Sequence, residues 1–152
     1  MVFENVALEG FVVVGIFVRT TNKNGQSQKD IAELWGKLMG GNTARKIHSK
    51  ISDKLYCIYV DYEGDFMDTY TTILGFAVSS IQNLPEGCIA KTIPASTYRL
   101  YKSTGTLPES VINTWKHIWE SDLKRKYLVD FDVYSGDAFS SSSLLVETYL
   151  SV

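Results

Sequence analysis

The sequence predicts an α+β fold in which two similar βαββ halves form a mostly antiparallel sheet, with two helices on one face and a crevice between the halves. Periodic segments occur in the order strand, helix, strand, strand, and this order repeats in the second half of the chain. Hairpins after each helix favour antiparallel pairing. With 152 residues and 45% hydrophobic composition, the chain is long enough for one packed domain.

The first half opens with a run of Val, Ile and Phe over Gly10–Thr20, which is typical of a buried strand. A polar loop follows, and Ser27 with Asp30 has the spacing of a capping box, so a helix is predicted to begin there. The Gly40–Gly41 pair is expected to end it. The apolar stripe of this helix consists of Ile31, Leu34, Trp35, Leu38 and Met39.

The next segments predict a β-hairpin. Lys54–Tyr62 is rich in β-branched and aromatic residues, and Thr69–Val78 has the same character. The acidic loop Glu63–Asp68 between them is short, so the two strands are expected to pair. Asn83–Gly87 (NLPEG) is a turn signal, and Ser96–Ser103 is predicted as the following strand.

A second helix is predicted after Thr106, which forms a second capping-box spacing with Glu109 and has Pro108 in the first turn. Two short strands near Phe131–Tyr134 and Leu144–Leu150, with a Gly/Ser-rich loop between them, close the chain. Aligning the two helices places Trp35 on Trp115. The apolar stripe of the second helix consists of Val111, Ile112, Trp115, Ile118 and Trp119.

Composition excludes several classes of protein. A net charge of −2 and a pI near 5.7 supply no broad basic surface, so direct nucleic-acid binding is not expected. No apolar run is long enough to span a membrane, and the acidic N-terminus is unlike a signal peptide. Cys57 and Cys88 are expected to be reduced thiols. The predicted location is therefore the cytoplasm.

Motifs for catalysis and metal binding are missing. The isolated His48 and His117 are interpreted as surface groups, and no catalytic residue, cofactor or metal is expected. The acidic stretch DYEGDFMD fails as a calcium loop, because Phe66 stands in place of the glycine and Thr72 in place of the bidentate glutamate. Two interpretations remain for this stretch: a solvated turn, or an acidic rim that attracts cations to a nearby aromatic pocket.

Glu147 is the most unusual carboxylate in the sequence because it lies inside the last predicted strand. Leu145 and Tyr149 share its face. Burying such a charge is costly unless a partner compensates it. If the site is a pocket, a cationic ligand held by charge and by ring faces is one such partner. If the strand is a sheet edge, Glu147 simply reaches water.

At these residues the sequence resembles GyrI-like effector-binding domains, the ligand-binding parts of some AraC-type and MerR-type regulators. Such domains also occur as stand-alone proteins, including ones carried on integron cassettes. The resemblance extends over nearly the whole chain. It rests on YVDYEGDF at Tyr59–Phe66, YTTILGFAV at Tyr70–Val78, IAELWGKLM at Ile31–Met39, the segment Ile93–Glu120 and the terminal VETYLSV.

The resemblance implies one effector-binding domain over residues 1–152, with halves at about 1–82 and 83–152 and a ligand crevice between them. It places the family's crevice glutamate at Glu147. The sequence departs from many relatives in having Ser151 where they have Pro. We expect the ligand to contact Glu147, Tyr149, Trp35, Met39, Tyr59, Tyr70, Phe76, Tyr101 and Trp119.

The function implied is that of a stand-alone drug-binding or effector-binding module for bulky aromatic, often cationic compounds. The alternatives are a hydrolase of reactive electrophilic compounds that uses Glu147 as general base, and a protein-binding module similar to gyrase inhibitors. The expected partners are a small aromatic or cationic ligand and a regulatory protein. No helix-turn-helix, nucleic-acid partner or membrane partner is expected.

Overall fold

The computed structural model describes residues 2–65, 67–106, 109–121, 123–135 and 144–152. These residues form a 3-10 turn (Lys23–Gly25) and the helices α1 (Gln26–Gly40), α2 (Thr43–Lys46) and α3 (Glu109–Glu120). The strands are β1 (Phe3–Leu8), β2 (Phe11–Thr21), β3 (Leu55–Val60), β4 (Thr69–Val78), β5 (Ile89–Ile93), β6 (Ser96–Gly105), β7 (Val129–Tyr134) and β8 (Leu144–Ser151).

These strands form one antiparallel sheet in the order β1-β6-β8-β7-β3-β4-β2-β5. One βαββ unit consists of β2, α1, β3 and β4, and the other of β6, α3, β7 and β8. The units meet where β3 pairs with β7, with Cys57 opposite Asp132. Leu34 of α1 and Trp115 of α3 belong to the same buried cluster on one face of the sheet. The predicted fold class is confirmed.

Two strands, β1 and β5, are absent from the predicted elements. Each precedes one unit in sequence and pairs with the other, because β1 leads into β2 but pairs with β6, and β5 leads into β6 but pairs with β2. Both are short edge strands, of six and five residues. The side chains of β1 are mostly exposed and those of β5 mostly half-buried, and neither strand has the apolar alternation by which a strand is identified in a sequence.

The sheet curves around a second core on the face without helices. Phe11 of β2 lies 5.9 Å from Phe131 of β7, measured between ring centroids, although two strands separate them in the sheet. Tyr98 is fully buried in the same cluster. Strands β2 and β4 approach so closely at the Gly15–Gly75 pair that a Cβ atom on Gly15 would lie 2.2 Å from the carbonyl oxygen of Leu74, so both positions require glycine.

The predicted capping box at the start of α1 is wrong. The helix begins at Gln26, and Gly25 precedes it with a left-handed φ of 69° and no side-chain cap. Ser27 is buried within the first turn. Asp30 instead accepts a hydrogen bond of 2.8 Å from the Thr20 hydroxyl, which ties the helix to the end of β2.

The remaining predicted boundaries agree with the structure to within two residues where it describes them. Pro108 and Phe66 lie outside the described residues. Within the described ranges, every helix is too short or too polar to cross a membrane.

Candidate functional site

A cavity of about 710 Å³ opens between α1 and α3, above the strands at the centre of the sheet. Its walls are mostly apolar. Among its described lining residues there is no carboxylate, and the two cationic ones are Lys116 and Arg125. Seven aromatic side chains line it: Trp35, Tyr59, Tyr62, Tyr70, Trp115, Trp119 and Tyr134.

The two βαββ units contribute to this cavity in a symmetric way. Trp35 of α1 packs edge-on against Tyr134 of β7 with ring centroids 4.8 Å apart, and Trp115 of α3 packs likewise on Tyr59 of β3 at 5.3 Å. Tyr59 and Tyr134 each lie two residues beyond the paired residues Cys57 and Asp132 of β3 and β7. The predicted equivalence of Trp35 and Trp115 therefore holds, and each tryptophan covers the tyrosine of the other unit.

Asp132 is fully buried beneath Tyr59 and Trp115, which form the aromatic floor of the cavity. Its carboxylate accepts hydrogen bonds from the Tyr59 hydroxyl (2.8 Å), from Trp115 Nε1 (3.1 Å to Oδ2) and from the Thr148 hydroxyl. All these donors are neutral. Burial raises the pKa of Asp132 from 3.8 to about 6, although the three hydrogen bonds oppose the shift. The carboxylate is therefore mostly ionised at neutral pH, and no cation among the described residues is bonded to it.

The raised pKa gives a testable effect on stability. Between pH 3.8 and about 6 the folded protein holds the Asp132 proton more tightly than the unfolded chain does, so this group lowers the free energy of unfolding as the pH rises. Asp132→Asn lacks this titration. We therefore expect its free energy of unfolding to rise relative to that of the unmodified protein by about 2–3 kcal/mol between pH 3.8 and 6. Urea unfolding of both proteins at several pH values measures the difference, and a difference that does not grow with pH would contradict the prediction.

Two residues before Asp132, Asp130 forms a different kind of buried site. Its Oδ2 atom lies 2.6 Å from Arg125 Nη2, and the two side chains are 0% and 3% exposed. Asp130 also accepts hydrogen bonds from the Tyr62 hydroxyl (2.7 Å) and from the backbone N–H of Ser151 (2.9 Å). The guanidinium lies over the rings of Tyr127, at 4.4 Å from the centroid, and Trp115, at 5.5 Å.

The structure brings together four of the predicted ligand contacts, Trp35, Tyr59, Tyr70 and Trp119, in the cavity. Three others lie elsewhere. Met39 is 56% exposed at the end of α1. Phe76 packs under the Lys50 ammonium, 4.4 Å from the ring centroid, and Tyr101 lines a smaller pocket with His117.

The structure places Glu147 and Tyr149 on the sheet face opposite the cavity. Along β8, Val146 and Leu150 enter the core beneath the helices, so the alternate side chains, Glu147 and Tyr149, project to the other side. Tyr149 stacks on Phe131 with centroids 4.8 Å apart. Burial and the adjacent Glu147 carboxylate together raise the pKa of Tyr149 to about 12. The sheet therefore separates Glu147 from the cavity.

Sequence reasoning missed the carboxylates Asp130 and Asp132, although a usable signal was present. The segment VDFDVY alternates acidic and apolar residues within a strand, which is the same feature that drew attention to Glu147. Tyr62, Trp115, Arg125 and Tyr134 were also absent from the predicted contacts. The helical stripe and the alignment with Trp35 mark Trp115, whereas no local pattern marks Arg125.

The acidic hairpin loop between β3 and β4 is largely neutralised by cations. Lys91 lies 3.1 Å from Asp61, Arg19 lies 3.6 Å from Glu63, and Lys23 lies 3.9 Å from Asp68. Asp65 accepts a hydrogen bond from the loop backbone. These exposed pairs weaken the field that an acidic rim would exert on an approaching cation.

Known proteins resemble this chain in sequence or in fold. YobU of Bacillus subtilis, a protein assigned as a transcriptional regulator, is 27% identical over 143 residues, which cover 91% of this chain and 89% of YobU. The crystal structure of the integron cassette protein VCH_CASS2 from Vibrio cholerae superimposes with a TM-score of 0.78 at 27% identity, over 99% of this chain and 95% of that one.

A more distant structure, SAV2435 bound to tetraphenylphosphonium, matches with a TM-score of 0.77 at 17% identity, over 99% of this chain and 93% of that one. The family model described as Cass2, integron-associated effector-binding protein, matches residues 6–152. This match covers both βαββ units and every residue of the cavity. The chain therefore belongs to the Cass2 family of integron-associated effector-binding proteins.

Proposed function

We propose that the protein binds bulky aromatic, cationic small molecules in the cavity between α1 and α3. The observation that carries the proposal is an aromatic cavity above Asp132, a buried carboxylate whose hydrogen-bond donors are all neutral. We also propose that residues 1–152 act as one binding unit, because the halves 1–82 and 83–152 both line the cavity.

The chemistry favours a ligand of this class. Ring faces attract cations, by about 0.5–2 kcal/mol for each well-placed contact. The Tyr59 hydroxyl and the Trp115 N–H both donate toward Asp132, so their electron-rich rings lie between the carboxylate and the cavity. Inside a site of low polarity, the negative charge of Asp132 acts over a longer distance than it would in water. A delocalised cation with apolar rings gains from both effects.

The comparisons support the ligand class. The family is described as effector-binding, and SAV2435 carries a tetraarylphosphonium, a cation of this chemistry. We propose that the protein uses this binding as a sensor, as a sequestering protein or as a partner-dependent regulator. A hydrolase would need a general base that faces the substrate, and Glu147 is not among the residues that line the cavity.

Blocking the cavity tests the proposal. Ala32 lines the cavity from α1, whereas its neighbour Glu33 does not. We expect Ala32→Phe to weaken tetraphenylphosphonium binding by at least about tenfold, because the new ring occupies ligand space, and Glu33→Phe to have little effect. Quenching of tryptophan fluorescence or calorimetry measures both affinities.

Equal affinity of the two variants would move the site away from the α1–α3 cavity. Failure of the unmodified protein to bind either tetraphenylphosphonium or a rhodamine cation would contradict the proposed ligand class.

A further inference from the structure

Arg125 carries the observation that the cation-binding proposal leaves unexplained. Its side chain is 3% exposed, and within the described part of the chain only Nη2 has a hydrogen-bond partner, Asp130. The Nε and Nη1 donors are buried and have no acceptor among the described residues. Buried donors are nearly always paired, and each unpaired one is unfavourable. Arg125 also lines the cavity, so a bound molecule is a source of the missing acceptor.

The cavity has two poles beside one ring: the carboxylate of Asp132, and the unpaired donors of Arg125, whose charge Asp130 already balances. Asp132 accepts the Trp115 N–H on one side, and the Arg125 guanidinium lies 5.5 Å from the centroid of the same indole. The lining itself includes Arg125 and Lys116 but no carboxylate among its described residues. A hydrophobic cation without an anionic group would be attracted by Asp132 but would leave the Nε and Nη1 donors of Arg125 without an acceptor.

From this arrangement we infer that Arg125 is a second recognition group, which makes the site selective for aromatic cations that also carry an anionic oxygen, such as a carboxylate. This inference rests on the proposed function and names the ligand class more narrowly. The cationic aromatic body lies over the tyrosine and tryptophan floor, while the oxygen accepts hydrogen bonds from Nη1 and Nε. Hydrogen bonds between charged groups are about twice as strong as neutral ones.

Two phosphonium ions of nearly equal size test the inference. Propyltriphenylphosphonium is a plain cation, and carboxyethyltriphenylphosphonium carries a carboxylate at neutral pH in place of the terminal methyl group. We expect the protein to bind the carboxylate form about tenfold more tightly, as two charge-assisted hydrogen bonds to Arg125 would give.

Variants assign this preference to a residue. In Arg125→Met/Asp130→Asn, which removes both buried charges together, the two dissociation constants should become nearly equal. Asp130→Asn alone frees the guanidinium of its carboxylate partner and should increase the preference. Lys124→Met removes the neighbouring exposed cation, which does not line the cavity, and should leave the preference as it is.

An equal affinity of the unmodified protein for both ions would overturn the inference while leaving the proposed function standing. An unchanged preference in Arg125→Met/Asp130→Asn would also overturn it. If that variant does not fold, Arg125→Lys decides, because the ammonium keeps the buried charge but lacks the two free guanidinium donors, so an unchanged preference there contradicts a role for Arg125. Binding of neither ion would instead contradict the proposed function itself.

Discussion

Arg125→Met is expected to lower the free energy of unfolding by about 3–5 kcal/mol, because it leaves the Asp130 carboxylate buried without its cation. The pair is 2.6 Å apart and the Asp130 side chain is 0% exposed, so the substitution leaves its charge in a poorly solvated place. The remaining partners of Asp130, Tyr62 and Ser151, are neutral donors. The expected effect is large because the charge is stranded, even where the intact pair itself adds little net stability.

The double variant Arg125→Met/Asp130→Asn should recover most of this loss, since no unpaired charge remains. Lys102→Met serves as the control, because its ion pair with Glu4 is exposed and 3.8 Å long. Such pairs contribute about 0–1 kcal/mol. Urea unfolding monitored by tryptophan fluorescence gives the three values. A double variant as unstable as Arg125→Met would show that the loss comes from packing of the arginine on Tyr127 and Trp115.

Asp132→Asn is expected to weaken tetraphenylphosphonium binding by at least about tenfold, which corresponds to about 1.4 kcal/mol. The substitution keeps the volume of the side chain and removes its charge, so the loss reports the electrostatic attraction across the floor of the cavity. Tetraphenylborate has nearly the same shape and the opposite charge. Its affinity should stay constant or rise, which separates charge recognition from a change in the shape of the cavity.

Acidification provides a second measurement of the same group. Since the pKa of Asp132 is about 6, the unmodified protein should bind tetraphenylphosphonium more weakly at pH 5 than at pH 7.5, whereas Asp132→Asn should lose this dependence. Binding of the cation should in turn lower the pKa of Asp132.

Glu147→Gln is the matched control for the charge, because it neutralises a carboxylate on the opposite face of the sheet. A tenfold loss for Glu147→Gln, with none for Asp132→Asn, would support the crevice role that the family resemblance implies for Glu147. It would also contradict a site above Asp132.

Local sequence patterns were enough to predict most elements but not the edges of the sheet. The β3–β4 hairpin and the apolar stripes of α1 and α3 are local features, and they appear as predicted except for Met39, which is exposed. Strands β1 and β5 owe their place to pairing with the distant unit, with Val6 opposite Tyr98 and Val13 opposite Lys91. Because the paired segments are so far apart in the sequence, neither segment carries a local pattern that predicts the pairing.

The aromatic walls were predicted in part, for a related reason. The stripes that placed Trp35 and Trp119 on the helices also bring them to the cavity, because both helices pack on the same face of the sheet. Tyr134 and Arg125 reach the cavity only because β7 lies at the centre of the sheet, next to β3. Their own neighbours in the sequence carry no sign of that position.

The sequence by itself determined the element order within the two βαββ units and the abundance of aromatic residues, because these follow from periodicity and composition. Only the tertiary structure decided which carboxylate lies beneath the cavity. Successive residues of a strand face opposite sides of the sheet, so the choice between Glu147 and Thr148 as the inward residue depends on the register of β8 against β7. That register sets Thr148 against Asp132, turns Glu147 outward and leaves Asp132 as the charge below the rings.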